Sequence, residues 1–326
     1  MPHERGADLA LGVGLKGELR RLKVATKHIL DPLAVRVRGH GVAHPSSLVV
    51  YLPLCSWAHG IAARKLARVT IRIVSIGDSF TEGMNDYLPD GTEVGWADRV
   101  AAGLAAAHPD QDVWYANLAI RGRKIESIVA EQLDAALALE PPPTHLTFNG
   151  GGNDMLRPGF SDARMIEFTA RVLDRCAAKG IFVVILTGAD PSDRLPAGKR
   201  MRRLGTSLTQ VLDDFIDGRE GVVFVDNLRS AEGRRDAYWS EDRLHLSSLG
   251  HEWIASRVLT AMGVPTLAPV VTDADSPTGG LGGGRVISEA RYWRSYVLPW
   301  IGRRLTGRSS GDGRAPKFAT WTRLQP

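Results

Sequence analysis

Ser79 stands in "VSIGDSFTEG", residues 74–83, where an apolar run stops at Gly77 and opens onto Asp78, Ser79, Thr81 and Glu82. A serine hydroxyl is a weak nucleophile at neutral pH. It needs a base to take its proton and donors to hold the oxyanion that its attack creates. Candidates for both lie far along the chain. In "YWSEDRLHLSSLG", Asp242 comes three residues before His245, a spacing that lets one tight turn set a carboxylate against imidazole Nδ1 and leave Nε2 free to face Ser79. "NLAIRGRKIES" carries Gly122, whose missing Cβ lets a backbone N–H approach a substrate closely. "FNGGGNDML" sets Asn153 and Asp154 after three glycines, where a side-chain amide can aim its NH2 at an oxyanion.

Taken singly these pieces are weak. A D-x-x-H pair in a chain with nine histidines is close to chance, and G-G-N-D is more often a plain turn. Their weight comes from the elements that must position them. Short β-rich runs occur at Ile71–Ile76, Asp112–Leu118, His145–Phe148, Ile181–Leu186 and Val222–Val225. Between them, apolar residues recur at helical spacing: Trp96, Val100 and Leu104; Ile125, Val129, Leu133 and Leu137; Ile166, Ala170 and Leu173; Met201, Leu204, Leu208, Val211 and Phe215; then Ile254, Val258 and Met262. Five strands alternating with helices predict right-handed βαβ units and a parallel sheet covered on both faces. Ligands bind such sheets at the carboxyl ends of the strands, and each chemical piece falls just after a different strand. His145, which precedes the third strand, falls at the opposite rim and is read as structural. His251, inside the last helix, is read as solvent-exposed or packing.

Charge narrows the function further. Residues 1–70 hold 11 basic and 4 acidic side chains, residues 271–326 hold 9 and 4, and the middle holds 21 and 28. An acidic core between basic ends disfavours nucleic-acid binding, which calls for a basic stripe on the core itself. Cys55 and Cys176 have no metal or disulfide spacing. The glycines of "LGVGLKG" (Gly12, Gly14, Gly17) spell a dinucleotide fingerprint but follow no β-run, so no helix terminus is placed for a pyrophosphate. No Walker loop, His-Glu-x-x-His or G-x-S-x-G elbow is present.

The flanks read differently from the core. Residues 1–70 form a basic N-terminal extension without clean periodicity. Its apolar run Leu48–Ala63 is interrupted by Pro53, Ser56, His59 and Gly60, is short for a bilayer span, and lies too far from Met1 for an ordinary signal peptide. A Gly-rich linker is expected over 266–284 and a basic amphipathic tail over 285–326, its apolar stripe being Val286, Ala290, Trp293, Val297 and Trp300, with Pro299 ending or kinking the helix. That tail leaves weak membrane-surface contact open. With no recognisable secretion signal, the default location is cytoplasmic.

The pieces together resemble the sequence blocks of the SGNH hydrolases, also called GDSL-type esterases and lipases. "GDSFTEG" resembles block one, "NLAIRG" block two, "GGND" block three and "DRLH" block five; Phe80 replaces the leucine usual after the serine. The resemblance spans about 72–263, within a domain bounded here at 71–265. It implies a three-layer α/β/α sandwich of flavodoxin type, with a five-stranded parallel sheet ordered 2-1-3-4-5. It also implies a serine esterase without metal or cofactor, acting on small-molecule acyl esters. Ser79, Asp242 and His245 then take the triad roles. The oxyanion hole falls to the N–H groups of Ser79 and Gly122 with the Asn153 amide, and Asp78 and Asp154 brace their loops by accepting backbone hydrogen bonds. Short-chain or carbohydrate-linked esters are the expected substrates, because the loop "GADPSDRLPAGKR" offers Asp190, Asp193 and Arg194; Arg157 and Pro158 fall close enough to touch substrate. Two other functions fit the same residues: acyl transfer to a sugar or lipid hydroxyl, and a binding module that kept the fold without the chemistry.

Overall fold

The computed structural model describes residues 70–196, 198–271, 289–306 and 308–325, all within the unit Ala63–Pro326. The expectations for residues 1–69, for Cys55 and for most of the Gly-rich linker lie outside the described residues.

Strand β1 (Thr70–Ile76) is rich in β-branched residues and buried at all but its first and third positions, as a central parallel strand requires. Its side chains alternate between two cores: Ile71 and Ile73 enter one, Val74 and Ile76 the other. Parallel partners flank it, β2 (Asp112–Asn117) on one side and β3 (His145–Phe148) on the other. The sheet continues through β4 (Phe182–Leu186) and β5 (Val222–Val225), also parallel. Register matters most for function. Ser75 lies opposite Asn117 and Ile76 opposite Phe148, so β1, β2 and β3 end level and release their loops onto one rim.

Helices cover both faces. On one, α2 (Trp96–Ala107) and α6 (Ser248–Ala261) bury Trp96, Val100, Leu104, Ile254 and Val258. On the other lie α3 (residues 125–137), α4 (Asp162–Ala177) and α5 (Gly198–Ile216). The short α1 (Ser79–Glu82) follows β1 directly. Helix α3 runs from Ile125–Ser127 through a π-helical turn, Ile128–Gln132, to Leu133–Leu137. Its expected residues Ile125, Val129, Leu133 and Leu137 are all buried. The buried faces of α4 and α5 overlap the expected stripes only in part. In α4, the expected Leu173 is buried with Met165, Phe168, Val172 and Cys176, while Ile166 and Ala170 are half-buried; in α5, the expected Leu208 is buried with Leu212 and Ile216, while Met201, Leu204 and Phe215 are half-buried and Val211 is exposed.

Among the described residues the sheet has six strands rather than five. β6 (Phe318–Leu324) adds to the β2 edge in antiparallel fashion, giving the order β5-β4-β3-β1-β2-β6. The five parallel strands keep the expected order. Before β6, helix α7 comprises a π-helical turn, Trp293–Val297, running into Leu298–Leu305. Pro299 does not end this helix. It lacks an N–H and crowds the carbonyl four residues back, and the wider π-turn just before it lets the chain pass. The helical residues around α7 bury Tyr292; of the expected stripe, Val297 is half-buried, Ala290, Trp293 and Trp300 are exposed, and Val286 lies outside the described residues. Among the described residues, no helix is long and apolar enough to cross a membrane.

The π-turn in α3 swings Gln132 onto the peptide that leads into Asp78 and Ser79. Gly77 N–H donates to Gln132 Oε1 at 2.8 Å, and Gln132 Nε2 donates back to the Gly77 carbonyl at 2.9 Å, both buried. An unpaired buried polar group costs about 1–3 kcal/mol. Gln132→Leu leaves the Gly77 N–H unpaired and the Gly77 carbonyl with the Ile120 N–H at 3.3 Å, and should therefore lose about 1–3 kcal/mol in urea denaturation; a loss within the ±0.5 kcal/mol of a surface change would show the pair to be dispensable.

Candidate active site

The turn from β1 into α1 is sterically fixed. A Cβ on Gly77 would fall 2.4 Å from Thr81 Oγ1 and 3.0 Å from the Asn149 carbonyl, so only glycine fits. Asp78 caps α1, its Oδ1 accepting the Phe80 N–H at 3.1 Å. Gly83, at φ 97°, ends the helix after one turn, and its N–H returns to the Ser79 carbonyl. Ser79 is thereby held on the first residue of a helix, where backbone N–H groups lack intrahelical partners.

The Asp242–His245 loop is a second tight turn. Ser240 N–H donates to the His245 carbonyl and Arg243 N–H to the Ser240 carbonyl, both at 3.0 Å. Arg243 adopts φ 61°, a left-handed backbone that an arginine takes at some cost. Two contacts from the tail hold it there: its guanidinium stacks over the Tyr292 ring at 4.0 Å and pairs with Glu289 at 3.2 Å. Within the turn, Asp242 Oδ1 accepts from the N–H groups of Leu244 (3.0 Å) and His245 (2.9 Å) and from Ser240 Oγ (2.9 Å). Asp242 Oδ2 takes the Asn85 amide at 2.8 Å and lies 2.6 Å from His245 Nδ1. On the other side of the ring, His245 Nε2 lies 2.9 Å from Ser79 Oγ. Three sequence-predicted residues, 166 positions apart at the extremes, form one continuous hydrogen-bonded chain. Burial opposes ionisation of Asp242, but the hydrogen bond and charge of His245, aided by the two loop N–H groups, outweigh it. They hold this carboxyl well below the usual range.

Gly122 and Asn153 arrive on the same rim. Gly122 has φ 75° and is the third residue of a turn closed by Arg123 N–H on the Ile120 carbonyl; this conformation favours glycine. The preceding N–H, from Arg121, goes to Glu82 Oε2 at 2.6 Å. Neither bond uses the Gly122 N–H, which has no acceptor among the described residues. Asn153 Nδ2 donates to Asp78 Oδ2 at 2.9 Å and to the Arg123 carbonyl at 3.0 Å, so both amide hydrogens have acceptors in this state. Asp78 and Asp154 both accept backbone hydrogen bonds as expected, Asp154 from the Ile125 N–H at 3.0 Å. Burial raises Asp78 to about 6 against the opposing pull of the Phe80 N–H and of His245. Burial likewise raises Asp154.

Other sequence candidates do not join this chain. Asp190 is buried against Arg202 (2.9 Å) and Arg234 (3.4 Å), and Asp193 also pairs with Arg202 at 2.7 Å. Arg194 pairs with Asp236 and stacks on Trp239 at 5.2 Å. Each of these charges has an oppositely charged partner in this structure. Arg157 donates from Nε to the Asn153 carbonyl at 3.2 Å and so supports that loop. His145 opens β3 at the far rim, beside Thr144 and Phe182, and His251 is buried, accepting the Trp96 N–H on Nδ1 at 3.2 Å. Sequence reasoning missed Asn85, Ser240, Glu82 and Arg121. Of these, Asn85 at φ 73° carried a faint signal, since asparagine tolerates the left-handed region.

With this geometry in view, known proteins can be compared. The model of the GDSL-like Lipase/Acylhydrolase family matches residues 75–253, more than half of the chain, and the protein belongs to that family of carboxylic ester hydrolases. Among solved structures, a lipase, Lip_vut3, from a goat rumen metagenome shares 20% identity, covering 60% of this chain and 99% of its own, with a TM-score of 0.49. The esterase EstA of a Pseudoalteromonas species shares 21%, covering 59% and 96%, at 0.45. An acetylxylan esterase, Axe2, of Geobacillus stearothermophilus shares 18%, covering 60% and 96%, at 0.44. Comparison with curated proteins gave no match.

Asp78 makes a pH-dependent prediction. Its folded pKa of about 6 lies above the ordinary 3.8, so its neutral form favours the fold. That contribution is complete below about pH 4 and is lost as pH rises through 6. Asp78→Asn has no such term. Its stability relative to wild type should rise by up to roughly 3 kcal/mol between pH 4 and 7, from a shift of about two units, as read by denaturation at each pH. A difference independent of pH would contradict the assignment.

Proposed function

We propose that the protein hydrolyses carboxylic esters through an acyl-enzyme on Ser79. Ser79 Oγ attacks the ester carbonyl while His245 Nε2 takes its proton. Asp242 fixes the imidazole tautomer and stabilises the imidazolium without itself becoming protonated. The N–H groups of Ser79 and Gly122, with the Asn153 amide, hold the oxyanion. His245 then protonates the leaving alcohol, and water, deprotonated by His245, releases the acid. One observation carries this reading: the Asp242–His245–Ser79 chain is assembled at 2.6 and 2.9 Å, within the range expected of a base and its nucleophile.

Asn153 has a cost to meet. Both of its amide hydrogens are engaged by Asp78 and Arg123, so it must share or release one to serve an oxyanion. Its contribution is placed at the lower end of the range for such donors. Asn153→Ala should lower turnover by about 10² with the fold retained, since removing one donor costs about 10²–10³.

Short acyl groups are the proposed substrates. The loop after β4 presents charged residues paired among themselves, not an apolar surface for a long chain. Hydrolysis of p-nitrophenyl esters should be greatest for acetyl and butyryl groups and fall toward decanoyl; a maximum at decanoyl would reverse this assignment. Ser79→Ala should abolish cleavage of the whole series, and a variant with full activity would end the serine-esterase reading.

A further inference from the structure

The segment after α7 makes contacts that the ester-hydrolase reading does not use. Residues 308–324 lie beyond the family-matched region and run along the β2 edge, ending as β6. At its start the segment lies against the turn that carries Gly122. A Cβ on Gly122 would fall 2.3 Å from Ser309 Oγ and 3.1 Å from Ser310 Oγ. The contact is reciprocal: a Cβ on Gly311 would fall 2.1 Å from the Arg121 carbonyl and 2.8 Å from Ile120 Cγ2. Glycines at both positions allow two backbones to touch.

Farther along, the same segment supplies charge. Glu82 and Glu93 share Arg121, each at 2.7 Å, and Asp98 lies close by; all four side chains are at most 14% exposed. Three carboxylates with one guanidinium would leave a buried excess of negative charge, which is costly. The segment offsets it with two cations. Lys317 Nζ donates to Asp98 at 2.7 Å, to the Glu82 carbonyl at 2.8 Å and to the Glu93 carbonyl at 3.1 Å. Arg314 adds a 3.4 Å pairing to Glu82. Glu82 is the pivot. It ends the helix that begins with Ser79, and its carboxylate holds the N–H of Arg121, the residue before Gly122.

We propose that residues 308–317 are a clamp that positions the oxyanion turn relative to the nucleophile, with Lys317 as its anchoring positioning residue. The inference rests on the ester-hydrolase reading for its chemistry. Lys317 touches no reacting atom; it fixes Glu82, Glu82 fixes Arg121, and Gly311 closes over the turn, so the Gly122 N–H is presented at one place. A loosened clamp weakens a donor whose complete loss would cost about 10²–10³.

The test uses the full chain with Lys317→Met, with Gly311→Ala, whose Cβ would push the segment off the Arg121 carbonyl, as a second variant, and with Arg323→Met as a control. Arg323 pairs with Asp112 at the far end of β6, so its removal weakens the strand without touching the clamp. Two readouts are taken: hydrogen exchange of the amides at residues 120–123, and the rate at which a fluorophosphonate phosphonylates Ser79, a reaction that needs the oxyanion site but no natural substrate. Both clamp variants should exchange faster at 120–123 and label about tenfold more slowly, with esterase kcat falling in step and KM little changed. Arg323→Met should match wild type in both. Unchanged labelling in the clamp variants, slower labelling without faster exchange, or an equal loss in Arg323→Met would overturn the proposal. Wild-type protein that resists phosphonylation would instead defeat the serine-hydrolase reading, a separate result.

Discussion

A buried carboxylate that keeps its charge is the constraint around which this site is organised. Asp242 is 8% exposed, and burial alone would push its proton affinity up and leave it neutral. Five donors reverse that outcome: two loop N–H groups, the Ser240 hydroxyl, the Asn85 amide and His245 Nδ1. Each also fixes geometry. The loop N–H groups define the turn, Asn85 ties it to the segment after α1, and the imidazole is left with one orientation. Removing partners from such a group would cost more than the bonds themselves contribute, because a buried charge would be left uncompensated.

The sheet supplies the frame for that arrangement. Parallel register brings the carboxyl ends of β1, β2 and β3 level, so that three loops meet without long excursions. Steric fits then set the details. Gly77 admits only hydrogen beside Thr81, and Gln132 pairs both backbone groups of that glycine. The Asp78 carboxylate caps the helix that opens at Ser79 with one oxygen and takes the Asn153 amide with the other. One side chain therefore couples the nucleophile turn to the proposed oxyanion donor, which is why its own ionisation bears on the stability of the rim.

Local signals carried most of this arrangement. β1, β4 and β5 are rich in β-branched residues, and Ser79, Gly122 and Asn153 follow β1, β2 and β3 closely; Asp242 and His245 stand farther beyond β5, and it is the Ser240–His245 turn that brings them to Ser79. Signals failed where the physics is long-range. β6 reads "FATWTRL", with half-buried residues only at Phe318, Trp321 and Leu324 and a bulge between Tyr115 and Asn117; it lacks the alternation that marks a strand. Asn85 and Ser240 meet Asp242 only after folding, and Lys317 meets Asp98 across 219 positions. The tail reads in sequence as a basic amphipathic helix, and its contacts to the domain run through Tyr292 under Arg243 and the Lys317 ammonium. The pairings of the β4 loop are long-range in the same way: Asp190 meets Arg234, and Arg194 meets Asp236.

The central claim is that Asp242 acts through its charge and its hold on the His245 tautomer, with Ser79 as the group activated. Asp242→Asn tests it most directly, because the amide keeps the shape but reverses the hydrogen-bonding sense toward Nδ1. Turnover on p-nitrophenyl acetate, measured per correctly folded molecule, should fall by about 10⁴. Activity retained within about tenfold of wild type would contradict the role given to the carboxylate.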